Sequence, residues 1–167
     1  MKKLLLSILA LLVVSSLVGC LESRPSGEPG ITGYVMKRED GRILVIDPNP
    51  QDFSSTGGVD EYYNAIYFSN APRDVTVGDK VKVWFDIMMD SYPGQSEVEY
   101  LEIVPSPKPA GANLNESEAL NKALMSQEFK TDVVVNSIDY MDETSRWIIK
   151  LKQIWGDELY TVEVNDK

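Results

Sequence analysis

Five short runs of strand-forming residues between Ile31 and Val104 limit the folds open to this chain more than any other feature. Turn-forming residues such as Asp40-Gly41 separate the runs, and one connecting loop, residues 49–60, is clearly longer than the others. Short strands in this arrangement predict a five-stranded Greek-key barrel of the oligonucleotide/oligosaccharide-binding (OB) type over residues 31–104. An SH3-like barrel or a simple antiparallel sandwich would give a similar pattern. The predicted strands are Ile31–Val35, Arg42–Asp47, Tyr62–Ser69, Lys80–Asp86 and Glu97–Val104.

A second unit follows a stiff linker at residues 105–114, which contains Pro105, Pro107, Pro109 and Gly111. Beyond it, Asn115 with a glutamate three residues later is a capping box, and it predicts a helix of about a dozen residues. Three more strands are predicted at about 131–138, 146–152 and 158–164. We therefore predict a mainly β chain, α+β overall, in which residues 115–167 form an α-β-β-β unit. That unit is small enough to need the barrel or a partner to cover its sheet.

The first twenty residues have the order of an export signal. Lys2 and Lys3 precede an apolar run from Leu4 to Val14, and the only cysteine, Cys20, follows a glycine. The apolar run is shorter than the roughly 20 residues of a spanning helix, and an ordinary secretory signal would end in small residues rather than Gly-Cys. This ending resembles the lipobox of bacterial lipoproteins. The resemblance implies cleavage after residue 19 and a diacylglycerol on the Cys20 thiol.

The N-terminal segments therefore predict the location of the protein. We expect a signal peptide at residues 1–19 and a Pro/Gly-rich flexible tether at residues 20–30. The fatty modification, which includes palmitate, would hold the protein on the extracytoplasmic face of the cell membrane.

Composition argues against several classes of function. The formal net charge of −10 is the opposite of the positive footprint that nucleic-acid binding requires, so we predict no nucleic-acid partner. The chain has no histidine, which excludes Ser-His-Asp and Cys-His catalysis. With Cys20 carrying lipid, no thiol is left for catalysis or for a soft zinc site. We predict a protein that is not an enzyme and has no cofactor or metal; a hydrolase that uses carboxylates is a less favoured alternative.

Several ordered segments of the barrel region resemble the YobA-like lipoproteins of Gram-positive bacteria, a family whose central domain has no known function. The segments are Ile31–Val35, Asp40–Val45, Tyr62–Asn70, Val77–Trp84 and Ser91–Gln95. The resemblance implies an OB-like barrel outside the cytoplasmic membrane, and it implies no reaction. Residues 115–167 are more loosely similar to PepSY-type exported modules, which are linked to protease inhibition and envelope regulation.

The candidate ligand-binding residues are Tyr62, Tyr63, Trp84, Tyr92 and Gln95. Outward aromatic side chains on an OB-like sheet serve as stacking platforms for ligands. Trp84 has the opposite strand parity to its neighbours, so it should be at least partly exposed, or else pack against the C-terminal unit. The segment that contains Tyr92 and Gln95 also suits a simple turn, because Pro and Gly are adjacent in it.

These residues predict a non-enzymatic binding module whose partner is a protein or a saccharide of the cell envelope. The alternative is a regulator or inhibitor of an envelope protease or sensor that acts through the C-terminal unit.

Overall fold

The computed structural model describes residues 25–167. The predicted signal peptide, Cys20 and the first part of the predicted tether lie outside the described residues. The described part is mainly β, as predicted, with nine strands in two sheets and one α-helix. No helix in this part of the chain has the length and apolar character needed to cross a membrane. The elements are β1 (Ile31–Glu39), β2 (Arg42–Ile46), β3 (Ala65–Ser69), β4 (Lys80–Trp84), β5 (Gly94–Glu97), β6 (Tyr100–Ile103), α1 (Glu116–Met125), β7 (Val133–Met141), β8 (Arg146–Gln153) and β9 (Leu159–Asn165).

The first six strands form one curled sheet in the order β5-β3-β2-β1-β4-β6. The central strand β1 pairs antiparallel with β2 and β4, whereas β5 runs parallel to β3. Side chains alternate as the sequence predicts for a half-buried strand. In β4, Val81 and Val83 are fully buried, while Lys80 and Lys82 are half-buried on the opposite face. The inward side chains fill the concave side of the sheet and form its inner core.

The last predicted strand of the barrel is divided in the structure. The sequence predicts one strand over Glu97–Val104, whereas the structure has β5 and β6 with a two-residue break between them. At the break, the Val98 amide donates to the Ser69 carbonyl of β3 (3.0 Å), and the Glu99 amide donates to the Trp84 carbonyl of β4 (3.1 Å). Two neighbouring residues thus bond β3 and β4, which lie on opposite sides of the central strands β2 and β1. This is why the sheet curls into an OB-like shape.

The C-terminal unit has the predicted order of one helix and three antiparallel strands. The predicted capping box is present: the Glu118 amide donates to the Asn115 side chain (2.9 Å), and the Asn115 amide donates to the Glu118 carboxylate (2.8 Å). Ala119, Leu120 and Ala123 are fully buried, so the predicted apolar face of α1 packs inward.

The helix and the second sheet pack on the outer face of the barrel and enclose a second core, here called the seam core. The barrel contributes Leu44 and Ile46, and the C-terminal unit contributes Leu120, Ile149 and Leu151, all of them fully buried. The barrel therefore covers the small sheet, as its size predicts. The inner core belongs to the barrel alone, whereas the seam core is shared by both units.

Polar contacts fix the orientation of the two units. The Tyr34 hydroxyl donates to the Glu116 carboxylate of α1 (2.6 Å). Gly78, at a backbone φ of +97°, lies so close to α1 that a Cβ would be 2.5 Å from the Ser117 carbonyl oxygen, so only glycine fits this contact. Two ion pairs also cross the seam, Lys37–Asp132 and Glu61–Lys152.

One carboxylate, that of Asp166 just after β9, is buried. Asp166 is fully buried and accepts hydrogen bonds from the backbone amides of Asn113 (2.6 Å) and Leu114 (2.9 Å) and from the Trp147 indole (3.0 Å). Burial alone would raise the pKa of Asp166, but these donors outweigh it and lower the pKa. The linker is therefore tied to the C-terminal sheet through one ionised side chain.

Candidate functional site

Four aromatic rings form a continuous row across the seam between the two units. Phe53 packs on Tyr62 (ring centroids 5.6 Å apart), Tyr62 packs on Tyr92 (5.5 Å), and Tyr92 packs on Trp155 (4.8 Å). The first three belong to loops of the barrel region, and Trp155 belongs to the β8–β9 connection of the C-terminal unit. We call this row the aromatic strip. It exists only because the two units are docked.

Local structure holds the middle of the strip in place. Tyr62 forms an isolated antiparallel bridge with Gln51, which closes the long loop that carries Phe53. The Tyr92 hydroxyl donates to the Tyr63 carbonyl (2.8 Å). Burial, together with the nearby Tyr62 and Asp132, raises the pKa of Tyr92 to about 12, so its hydroxyl stays protonated and able to donate. The two ends of the strip are open, since Phe53 is 40% exposed and Trp155 is 55% exposed.

The structure separates the five predicted ligand-binding residues. Tyr62 and Tyr92 come together in the strip, whereas the side chain of Tyr63 is buried in the seam core. Gln95 lies on β5 and lines a different concavity. The predicted ligand contacts of these residues stay predictions.

The predicted exposure of Trp84 is wrong. Trp84 does face away from Val83, but it is only 4% exposed. Its indole donates to the Gly27 carbonyl (3.1 Å), and its ring packs against Tyr100 (5.4 Å). The segment around Gly27 thus contacts a side chain that strand parity alone predicts to be exposed. Trp84 is not among the residues of the seam core, and the predicted alternative, packing on the C-terminal unit, stays a prediction.

Sequence reasoning missed Phe53 and Trp155, which form the exposed ends of the strip. Phe53 lies beside a short 3₁₀ turn, Ser54–Thr56, in the long loop. Trp155 precedes Gly156-Asp157 in a hairpin connection. The turn itself requires no large apolar residue at this position. That mismatch between residue type and position was the available signal.

A concavity, here called the side groove, lies along the outer side of β5 and encloses about 530 Å³. Arg42 and Tyr67 form one wall, where the guanidinium lies over the ring 5.1 Å from its centroid. The loop after β4 forms the other wall with Ile87 and Met89, and Gln95 lies between the walls. This loop continues into Tyr92, so one loop serves both the groove and the strip.

Acidic side chains surround one end of the side groove, namely Asp86, Glu97 and Glu99. Desolvation raises the pKa of Glu99, and so do the negative charge of Asp86 and a hydrogen bond to it. This pair is in direct contact. Glycosidases instead hold two carboxyl groups about 5–9.5 Å apart, on either side of the scissile bond. The pair therefore gives no support to the carboxylate hydrolase alternative.

The side groove is what remains open of the face that OB folds use for ligands. That face lies on strands 2 and 3 and the loops beside them. Here Leu44, Ile46 and Ala65 of this face belong to the seam core, under the C-terminal unit. Only the end near Arg42 and Tyr67 reaches solvent. The C-terminal unit thus covers most of the surface that OB folds use to bind ligands.

The fold, the aromatic strip and the side groove define a class of protein: an OB-like curled sheet whose outer face is covered by a helix-plus-sheet unit. Residues 32–105 match the family described as "Protein of unknown function (DUF3221)". The predicted YobA-like resemblance is confirmed over the barrel region. The PepSY-like resemblance of residues 115–167, and with it the regulator alternative, stays a prediction.

Among solved structures, the chain is similar to a yobA protein from Bacillus subtilis subsp. subtilis str. 168. The two are 18% identical, the match covers 49% of this chain and 100% of that chain, and the TM-score is 0.35. No curated protein matches the chain.

Proposed function

We propose that this protein is a non-enzymatic binding module, anchored through Cys20 on the outer face of the cell membrane, that binds an envelope protein on the aromatic strip. The observation that carries the proposal is the row Phe53–Tyr62–Tyr92–Trp155, which spans both units and is open at both ends. Tyr, Trp and Phe are enriched in protein interfaces and dominate their binding energy.

The neighbours of the strip favour a protein partner over a saccharide. Val59 is bonded to Phe53 through the backbone (2.8 Å), and it is exposed. Leu159 follows the connection that carries Trp155, and it is exposed too. Exposed apolar side chains at both ends extend the aromatic surface, and apolar patches of this kind mark protein interaction sites.

Site-specific photocrosslinking on intact cells tests the partner. A benzophenone amino acid replaces Trp155 in one variant and Met125 in a matched control, since Met125 is an exposed apolar residue of the same unit. We expect a discrete protein adduct from position 155 and none from position 125. Adding Phe53→Ala, at the opposite end of the strip, should reduce the adduct. An adduct made of glycan without protein, or equal adducts from both positions, would contradict the proposal.

A separate experiment tests the anchor. Cells fed labelled palmitate should incorporate label into the wild-type chain and not into Cys20→Ser. The mature protein should begin at residue 20 and partition into detergent. Label in Cys20→Ser, or a mature N-terminus elsewhere, would remove the anchor from the proposal without affecting the strip.

A further inference from the structure

We propose that the side groove is a second binding site, which takes an extended peptide segment with basic side chains next to apolar ones. The proposal extends the proposed function, because both have a protein as partner, but it uses different residues. It can therefore hold or fail independently of the aromatic strip.

The shape of the groove suits a peptide. Its volume of about 530 Å³ is open to solvent along the outer side of β5. The loop that forms one wall already lies against this strand as an extended segment would. The Met89 amide donates to the Gln95 carbonyl (2.9 Å), and the Ser96 hydroxyl donates to the Ile87 carbonyl (2.7 Å). These bonds hold residues 87–89 against the outer edge of β5, so a peptide would lie along the groove beside this loop.

The apolar wall of the groove is exposed to solvent. Ile87 is 80% exposed and Met89 is 63% exposed, although both line a concave surface. Methionine side chains adapt to differently shaped apolar partners and are common at promiscuous binding surfaces. We infer that apolar side chains of the peptide pack here.

The charge of the groove selects the remaining side chains of the peptide. Asp86, Glu97 and Glu99 lie on it against a single cation, Arg42, which already lies over the Tyr67 ring. Asp86 and Glu99 are in contact, so their negative charges repel each other. A lysine or arginine side chain would relieve this repulsion, and an acidic peptide would increase it. Charge complementarity therefore favours a basic segment.

Two synthetic probes test this directly. Fluorescein-labelled peptides of alternating Lys and Leu, or of alternating Glu and Leu, are titrated with the purified chain in an uncharged detergent, and anisotropy is measured. We expect the Lys/Leu peptide to bind more tightly, with an affinity that falls as salt rises. Glu97→Gln and Glu99→Gln should each weaken binding roughly two- to fivefold, the size expected for one solvent-exposed ion pair.

Matched variants distinguish binding in the side groove from general electrostatic attraction of a basic peptide to an acidic protein. Glu143→Gln removes an exposed acid from the Asp142–Thr144 turn and should leave the affinity unchanged. The pair Ile87→Ser and Met89→Ser should weaken binding of the Lys/Leu peptide. Phe53→Ala should not, so loss of strip binding and loss of groove binding are distinguishable.

Three results would overturn the proposal. They are equal affinity for the two peptides, equal loss from Glu143→Gln and Glu97→Gln, and unchanged affinity in the Ile87/Met89 double variant. Insertion of this loop into phosphatidylcholine vesicles, with no binding of the Lys/Leu peptide, would also overturn it in favour of a lipid contact.

Discussion

Replacing Ile46 by alanine tests whether the barrel and the C-terminal unit fold as one body. Ile46 lies on the outer face of β2, is fully buried, and belongs to the seam core rather than to the inner core. The substitution removes three carbon atoms. At about 0.8 kcal/mol for each buried carbon, the transfer term is about 2.4 kcal/mol. The cavity that remains increases the loss, so we expect a decrease in the free energy of unfolding of about 3–4 kcal/mol, within the usual range for such changes.

The measurement is urea unfolding followed by far-UV circular dichroism and by tryptophan fluorescence. Because both units share the seam core, we expect the two signals to give one superimposable transition in the wild type and in the variant. Ile87→Ala is the matched control, since it removes the same atoms from a side chain that is 80% exposed. It should change the free energy of unfolding by no more than about 0.5 kcal/mol.

The reasoning would be refuted if unfolding separated into two transitions and Ile46→Ala moved only one of them. A loss below about 1 kcal/mol would have the same meaning, because a fully enclosed isoleucine costs more than that.

Three other substitutions have defined outcomes. The donors around Asp166 lower its pKa, so its carboxylate stabilises the fold above its unfolded pKa, and this stability is lost as pH falls through the folded pKa. Asp166→Asn should therefore lower Tm at pH 7, and the gap to wild type should shrink below about pH 3.9 in calorimetry. The pKa of Glu99 is raised by desolvation and by Asp86, so its ionised form destabilises the fold; Glu99→Gln should raise Tm at pH 7 and make no difference below about pH 4.3. A Cβ on Gly33 would be 2.3 Å from the Ile46 carbonyl oxygen, so Gly33→Ala should cost about 1–3 kcal/mol in urea unfolding. A wild-type denaturation midpoint in Gly33→Ala would show that β1 and β2 can separate without cost.

The strands, the helix and its cap could be predicted because each has a local signal. The alternation in β4 and the Asn115–Glu118 capping box are complete within a few residues. The division between β5 and β6 has no such signal, since it depends on the backbone of two distant strands.

The sequence predicts the docking of the two units only in part. The run Ile43–Ile46 is apolar without alternation, and all four residues are fully buried. A continuous apolar run is typical of a strand covered on both faces. The pattern therefore indicates that something covers the outer face of β2, but not which segment of the chain does so.

The candidate site was predicted least well, for a physical reason. The sequence predicts Tyr62 on a strand and Tyr92 beside a turn, yet the surface that they form depends on Trp155, which is distant in sequence. The exposure of Trp84 was mispredicted because strand parity describes a sheet alone, whereas the segment around Gly27 contacts this ring from outside the sheet.

With the proposed anchor at Cys20, the hydrogen bond from Trp84 to Gly27 would limit how far the folded body can reach from the membrane. Six residues lie between Cys20 and Gly27, and a fully extended chain spans at most about 25 Å over these seven steps. A body held through Cys20 by so short a segment would stay within a thin layer above the lipid headgroups. Its binding partner would therefore have to lie in that layer or enter it.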